Sequence, residues 1–121
     1  MSLRKRIEEL LKRYSDIIAS VEEFHVLERP HIVVIRCKAI LLDMSVLYIR
    51  EIWRDERRIA YSYYWLKPDG DLIEGWDNAP HHPEVETFPD HAHTEEGIKP
   101  LHRSNLDSLL NKIRRVLLSS Y

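Results

Sequence analysis

The stretch His31-Ile-Val-Val-Ile-Arg-Cys-Lys-Ala-Ile-Leu41 decides the fold of this 121-residue chain. Its odd positions are apolar from Val33 to Leu41, whereas Arg36 and Lys38 occupy even positions. This period of two is typical of a strand with one buried face, because successive side chains of a strand point to opposite sides. The stretch therefore predicts a half-buried strand whose other face is polar.

Three further runs after this strand predict an antiparallel sheet. They extend from Met44 to Arg54, from Ile59 to Leu66 and from Leu72 to Trp76. Lys67-Pro-Asp-Gly70 is a strong turn, since proline presets φ and glycine accepts a positive φ. Because parallel strands need long crossovers, these short connections predict a four-stranded antiparallel meander over about residues 31–77.

Two amphipathic helices are predicted to flank this sheet. Apolar residues recur at spacings of three and four across about residues 2–22 and again across about residues 104–119. The predicted fold class is therefore α+β, with a single domain over residues 1–121.

The segment over about residues 78–103 is predicted to be a long loop rich in histidine and proline. It holds four of the six prolines and five of the seven histidines of the chain. Loops of this length in a small domain are usually functional or disordered. The histidines are His81, His82, His91, His93 and His102, and Asp77 lies just before them.

The first hypothesis for this loop is a metal-independent endoribonuclease without a cofactor. Imidazole titrates near neutral pH, so His82 and one of His91 or His93 could serve as acid and base. Asp77 would orient an imidazole.

Side chains outside the loop would complete this site. Arg36 or Arg50 would stabilise phosphate charge. Within the loop, Asn78 and His81 are further candidates for substrate binding.

The second hypothesis is a metal-binding module or a metal-dependent hydrolase. Neutral imidazole is the commonest protein ligand of transition metals, and a divalent ion could be held by the residues of the same loop. No standard zinc spacing is present. The candidate ligands are Asp77, His81, His82, His91 and His93. A third hypothesis is a non-catalytic interaction domain.

Aromatic residues alternate along the third predicted strand. Tyr61, Tyr63 and Trp65 share one face, and Tyr64 lies on the other. Aromatic residues favour half-buried strands, so core packing is one interpretation. The other is a platform on which unpaired RNA bases stack.

Four motifs resemble the signature of the TumE-type toxin family. They are Tyr61-Ser-Tyr-Tyr-Trp65, Asp69-Gly, Trp76-Asp-Asn-Ala-Pro-His-His-Pro83 and Phe88-Pro-Asp-His-Ala-His93. The resemblance covers 61–93 strongly and the rest of the chain weakly. It implies the toxin half of a toxin–antitoxin pair, located in the cytoplasm, with a small DNA-binding antitoxin as partner.

The chain departs from this family pattern at two positions. Members often have histidine where Tyr64 and Asp90 stand in this sequence. The first departure bears on any catalytic role for position 64. The second replaces one imidazole of the loop with a carboxylate.

Composition narrows the functional classes further. The single cysteine, Cys37, excludes an internal disulfide and favours a reducing compartment. No apolar run approaches the length of about 18 residues that a membrane helix needs, so no membrane association is expected. Exposed sheet edges would also permit a homodimer.

The net charge of −2 conceals a strong asymmetry. Residues 69–96 contain nine acidic residues and no Lys or Arg, whereas the remaining 18 basic and 11 acidic residues give +7. A basic body attracts phosphate, so composition does not exclude RNA as a partner.

Overall fold

Two helices and seven strands make up the fold in a computed structural model, which describes residues 2–119. The elements are α1 (Leu3–Arg13), β1 (Ile18–Glu28), β2 (Ile32–Leu41), β3 (Val46–Arg54), β4 (Arg57–Leu66), β5 (Leu72–Asp77), β6 (His91–Thr94), β7 (Gly97–Pro100) and α2 (Leu106–Leu118). The strands form one antiparallel sheet in the order β1 to β7. The predicted antiparallel α+β fold is confirmed, but the predicted count of four strands is wrong.

Both helices lie on the same face of the sheet. Odd-numbered apolar residues of β2, such as Ile35 and Ala39, are buried with Ile7 and Leu11 of α1 and Leu110 of α2 in one core. Along β2, the even-numbered residues point to the opposite face of the sheet. We call this opposite face, which neither helix covers, the open face.

Polar contacts fix the helices to the sheet and to each other. The Tyr14 hydroxyl donates to Asp107 of α2 over 2.5 Å, which joins the end of α1 to the start of α2. Lys112 of α2 donates to both carboxylate oxygens of Glu74 on β5, over 2.8 and 2.9 Å. These contacts hold both helices on one face of the sheet, so the open face stays uncovered by either helix.

The aromatic residues of β4 belong to the core. Tyr61, Tyr63 and Trp65 are at most 3% exposed and lie beneath the helices. The Arg58 guanidinium lies 4.0 Å from the Tyr61 ring centroid, and Arg58 also donates to the Tyr63 hydroxyl. Burial leaves no ring face open for an RNA base, so these residues do not form the stacking platform proposed from the sequence.

The first helix is shorter than the predicted range of 2–22. It ends at Arg13, and the chain then turns and enters β1, which pairs with β2 along its length. Register shifts between Ile18 and Ser20, and between Glu22 and His25, interrupt the alternation of this strand. Since bulges add residues to a strand, they hid its period of two and left spacings that imitate a helix.

The predicted loop over 78–103 contains two short strands. β6 and β7 have four residues each, which is too short for a periodic pattern to be visible. They extend the sheet beyond β5, so the irregular part shortens to residues 78–90. Pro100 closes the edge strand β7, a position where a missing N–H costs no internal ladder bond.

Candidate functional site

One row of side chains crosses the open face of the sheet. Antiparallel pairing sets Arg36 opposite Arg50, Arg50 opposite Ser62, Ser62 opposite Asp77, and Asp77 opposite His91. Directly opposed residues share a face, so all of these side chains project from the open face. We call this set the open-face row.

The β5–β6 pairing brings the candidate catalytic groups together. Asp77 lies opposite His91, and Gly75 lies opposite His93. Because Ala92 between the two histidines points into the core, both imidazoles project on the side of the Asp77 carboxylate. The alternation of a four-residue strand is therefore sufficient to build this part of the site.

Asp77 is the hub of hydrogen bonds at the site. Its Oδ1 accepts from the Ala79 N–H over 2.9 Å and lies 3.1 Å from His91 Nε2. Its Oδ2 accepts from the Tyr64 hydroxyl over 2.5 Å and lies 3.1 Å from His93 Nε2. The Asp77 side chain is only 8% exposed, so these contacts replace the water shell of the carboxylate.

These contacts decide the charge of Asp77. Burial raises the pKa of this carboxyl, but the Tyr64 hydroxyl, the Ala79 N–H and the neighbouring His91 and His93 outweigh burial and hold the pKa below its usual value. Burial and the adjacent carboxylate in turn raise the pKa of the Tyr64 hydroxyl. At neutral pH Asp77 is therefore a carboxylate, and Tyr64 is a hydrogen-bond donor.

His91 is held rigidly in the floor of the site. Its side chain is 2% exposed, and its Nδ1 lies 2.9 Å from the Pro89 carbonyl oxygen. A carbonyl only accepts, so Nδ1 carries the proton and Nε2 faces the site. That Nε2 lies 3.0 Å from Nε2 of His93.

His82 enters the site from the irregular segment. Its ring centroid lies 4.9 Å from that of His91 and 5.8 Å from that of His93. Its Nδ1 lies 3.0 Å from Glu84 Oε1, and 29% of its side chain is exposed. We call Asp77, His82, His91 and His93 the His/Asp cluster.

The remaining predicted site residues have other positions. His81 is exposed at the rim of a cleft of about 550 Å³ beside the cluster, and Arg50 lines the same cleft. Asn78 is structural: its Oδ1 accepts from the Tyr61 N–H and its amide donates to the Ile59 carbonyl oxygen. Arg36 lies one strand beyond Arg50, outside this cleft.

The two departures from the family pattern have different consequences. Tyr64 joins the cluster through Asp77, a contact that the sequence reasoning missed. Its face was visible from the alternation along β4, but its partner depends on the register with β5. Asp90 points away from the cluster and accepts from the Tyr61 hydroxyl over 2.7 Å, so it anchors the irregular segment to β4.

Gly75 makes room for the Tyr64 ring. A Cβ added at Gly75 would lie 2.3 Å from Cδ1 of Tyr64, closer than real contacts allow. We expect Gly75→Ala to displace the ring from Asp77 and to lower the free energy of unfolding by about 1–3 kcal/mol, measured by urea denaturation. In a Tyr64→Ala background the same change should be nearly neutral. An equal loss in both backgrounds would contradict this account.

The donor atoms of the cluster are of the types that could hold a metal ion. One ring nitrogen from each of His82, His91 and His93 lies within 4.8 Å of the others, and Asp77 adjoins them. Metal–nitrogen bonds of about 2.0–2.1 Å place neighbouring ligand atoms roughly 3–3.4 Å apart. The spacings of 3.0 and 3.1 Å among Asp77, His91 and His93 lie near that range.

Fold and site together define a small α+β protein with a His/Asp cluster on the open face of an antiparallel sheet. The family described as Toxin TumE matches residues 7–118. The chain therefore belongs to the TumE toxin family and is toxin-like.

Comparison with curated proteins and with solved structures found no match. Within residues 2–119, neither helix has the length and apolar character needed to cross a membrane.

Proposed function

We propose that this toxin cleaves RNA at the His/Asp cluster. The observation that carries the proposal is the open-face row, in which Arg50 and Arg36 lie in line with Asp77 and His91. Arginines attract and orient phosphate, and imidazoles transfer protons near neutral pH. This combination suits the cleavage of a phosphodiester in a substrate that lies along the open face.

Exposure assigns different roles to the three imidazoles. His82 and His93 have side chains that are 29% and 28% exposed, so both can touch a substrate in the cleft. His91, at 2%, cannot, and it serves as a positioning residue for His93 and Asp77. Of the two partners that the sequence allowed for His82, the geometry favours His93.

The proposed reaction uses the substrate's own 2′-hydroxyl. His93 takes the proton of this hydroxyl as its oxygen bonds to phosphorus, and Asp77 stabilises the imidazolium that forms. The bond between phosphorus and the 5′-oxygen breaks, and protonated His82, steadied by Glu84, gives a proton to that oxygen. Arg50 would neutralise charge on the phosphate in the transition state. The products are a 2′,3′-cyclic phosphate and a 5′-hydroxyl.

A comparison of RNA with DNA as substrates tests this proposal. Purified full-length protein should cleave a labelled RNA oligonucleotide and leave the DNA of the same sequence intact, because DNA lacks the nucleophile. Recovery of intact RNA under all conditions, together with undiminished growth arrest, would contradict the proposal and favour a non-catalytic toxin.

A second candidate function is metal-dependent hydrolysis, and one observation favours it. Since Nδ1 of His91 carries the proton, the Nε2 lone pair of a neutral ring faces Asp77 Oδ1 over 3.1 Å. Two lone pairs at that distance need a cation between them, either a proton or a metal ion. Ligating histidines commonly donate their other N–H to a backbone carbonyl, as His91 does to Pro89.

Elemental analysis separates the two candidates. If metal-dependent hydrolysis is correct, protein purified without chelator should contain about one equivalent of a transition metal, and the His91→Ala variant should lose it. Cleavage would then yield 5′-phosphate or 3′-phosphate ends and would stop in EDTA. Metal-free protein that still forms 2′,3′-cyclic ends would leave only the first candidate.

Membership of a toxin family also implies a partner. We propose a small antitoxin, encoded with the toxin, that holds it inactive in the cytoplasm. The antitoxin should suppress both growth arrest and RNA cleavage when it is added in equal amount to the purified toxin.

A further inference from the structure

We infer that the open face holds single-stranded RNA across the strands, with Arg36 and Tyr48 binding nucleotides beyond the cleavage site. This inference rests on the proposed function and names the form of its substrate. Arg36 and Arg50 lie directly opposite each other on β2 and β3, and both are exposed. Like charges in opposed positions destabilise a sheet.

No acidic side chain compensates this pair. Within residues 2–119, neither arginine makes an ion pair or a side-chain hydrogen bond. Glu23 lines the same concavity as both arginines but forms no ion pair with either of them. Two neighbouring arginines without acidic partners are expected where an anionic ligand supplies the missing negative charge.

The surface continues from this pair to the cluster. A concavity of about 380 Å³ is lined by His25, Arg36 and Tyr48, together with Arg50 and Ser62. Arg50 and Ser62 also line the cleft of about 550 Å³ at the cluster. The two concavities therefore form one path that runs across β1 to β5.

Strand spacing sets the position of Arg36 relative to the reaction. Neighbouring strands are about 4.8 Å apart, which places Arg50 about 10 Å and Arg36 about 14 Å from Asp77 along the row. Arg50 can thus reach the reacting phosphate with its side chain, whereas Arg36 meets a phosphate further along the strand. The role of Arg36 is binding.

Tyr48 favours an unpaired strand over a duplex. It projects from the open face beside the row, is 43% exposed, and has the Lys38 ammonium 5.8 Å from its ring centroid. An exposed ring can stack a base only if that base is free of its neighbours, as in single-stranded RNA.

The test measures binding separately from cleavage. In the full-length His93→Ala protein, which should bind RNA without cutting it, we expect Arg36→Gln to weaken binding of a fluorescent uridine dodecamer about tenfold. The slope of log affinity against log salt concentration should become shallower by about 0.7, the value for one phosphate contact on a single strand. A dinucleotide, too short to reach Arg36, should show no difference. Arg115→Gln, with the same charge change on the helical layer, is the matched control.

A folding measurement excludes a merely structural role. Because Arg36→Gln removes a like-charge repulsion, the urea midpoint of the variant should stay equal or rise. A variant that binds the dodecamer as tightly as the control would overturn the inference. The inference would also be overturned if Arg36→Gln left the affinity for RNA unchanged but weakened the complex with the antitoxin, since the open face would then bind the antitoxin. If the wild-type protein bound RNA tightly through Arg36 but never cleaved it, the result would support the inference and refute the proposed function.

Discussion

Replacing His93 with alanine is expected to abolish RNA cleavage while leaving the fold intact. General acid–base catalysis contributes about 10²–10⁴ in rate, so the loss should lie in this range. His82→Ala should give a comparable loss, because each imidazole handles one of the two proton transfers. Both side chains are partly exposed, and removing them leaves no large cavity. Cleavage of a labelled oligonucleotide and growth arrest after induction are the measurements.

The matched control for these variants is His31→Ala. His31 is exposed, lies on the connection between β1 and β2, and pairs with Asp55. This variant should retain full activity. If His82→Ala and His93→Ala arrested growth as strongly as His31→Ala, the catalytic assignment would be wrong.

Asp77→Asn is expected to lower both activity and stability. The carboxylate holds His93 and stabilises the charge that develops on it, so activity should fall at least about 10²-fold. The asparagine amide presents N–H donors where Oδ2 accepts from Tyr64, so the free energy of unfolding should fall by about 1–3 kcal/mol. Urea denaturation at pH 7 measures the second effect.

The loss of stability in Asp77→Asn should depend on pH in a defined direction. Because the folded protein holds the pKa of Asp77 below its usual value, its ionised form stabilises the fold. The contribution is complete above the unfolded pKa of about 3.9 and disappears as the pH falls through the folded value. The stability difference between wild type and Asp77→Asn should therefore narrow below about pH 3.9.

A control substitution limits the interpretation of this result. Asp55→Asn changes an exposed carboxylate that pairs with His31, and exposed pairs contribute about 0–1 kcal/mol. Asp55→Asn should leave the rate of RNA cleavage unchanged. A stability difference for Asp77→Asn that stayed constant from pH 7 to pH 3 would show that the charge of Asp77 does not support the fold.

Local patterns were sufficient for the middle of the molecule. The alternation in β2 and β4, the β-branched and aromatic residues of β3 and the Lys67–Gly70 turn before β5 predicted these strands, because each signal is contained within a few adjacent residues. The strands β1, β6 and β7 were missed because bulges or short length removed the alternation. Pairing with neighbours, which stabilises them, leaves no mark on their own residues.

The candidate site shows the same division. The sequence by itself determined which side chains form the cluster: Asp77, His82, His91 and His93 were chosen from residue type and crowding in a short segment, and the structure brings all four together. Which imidazoles face solvent, and which tyrosine meets Asp77, were decided only by the tertiary structure. A slip of one residue between β4 and β5 would turn Tyr64 away from Asp77, and the same slip between β2 and β3 would separate Arg36 from Arg50. Register depends on the turn that joins two strands and on the face that packs against the helices, and the alternation along one strand contains neither.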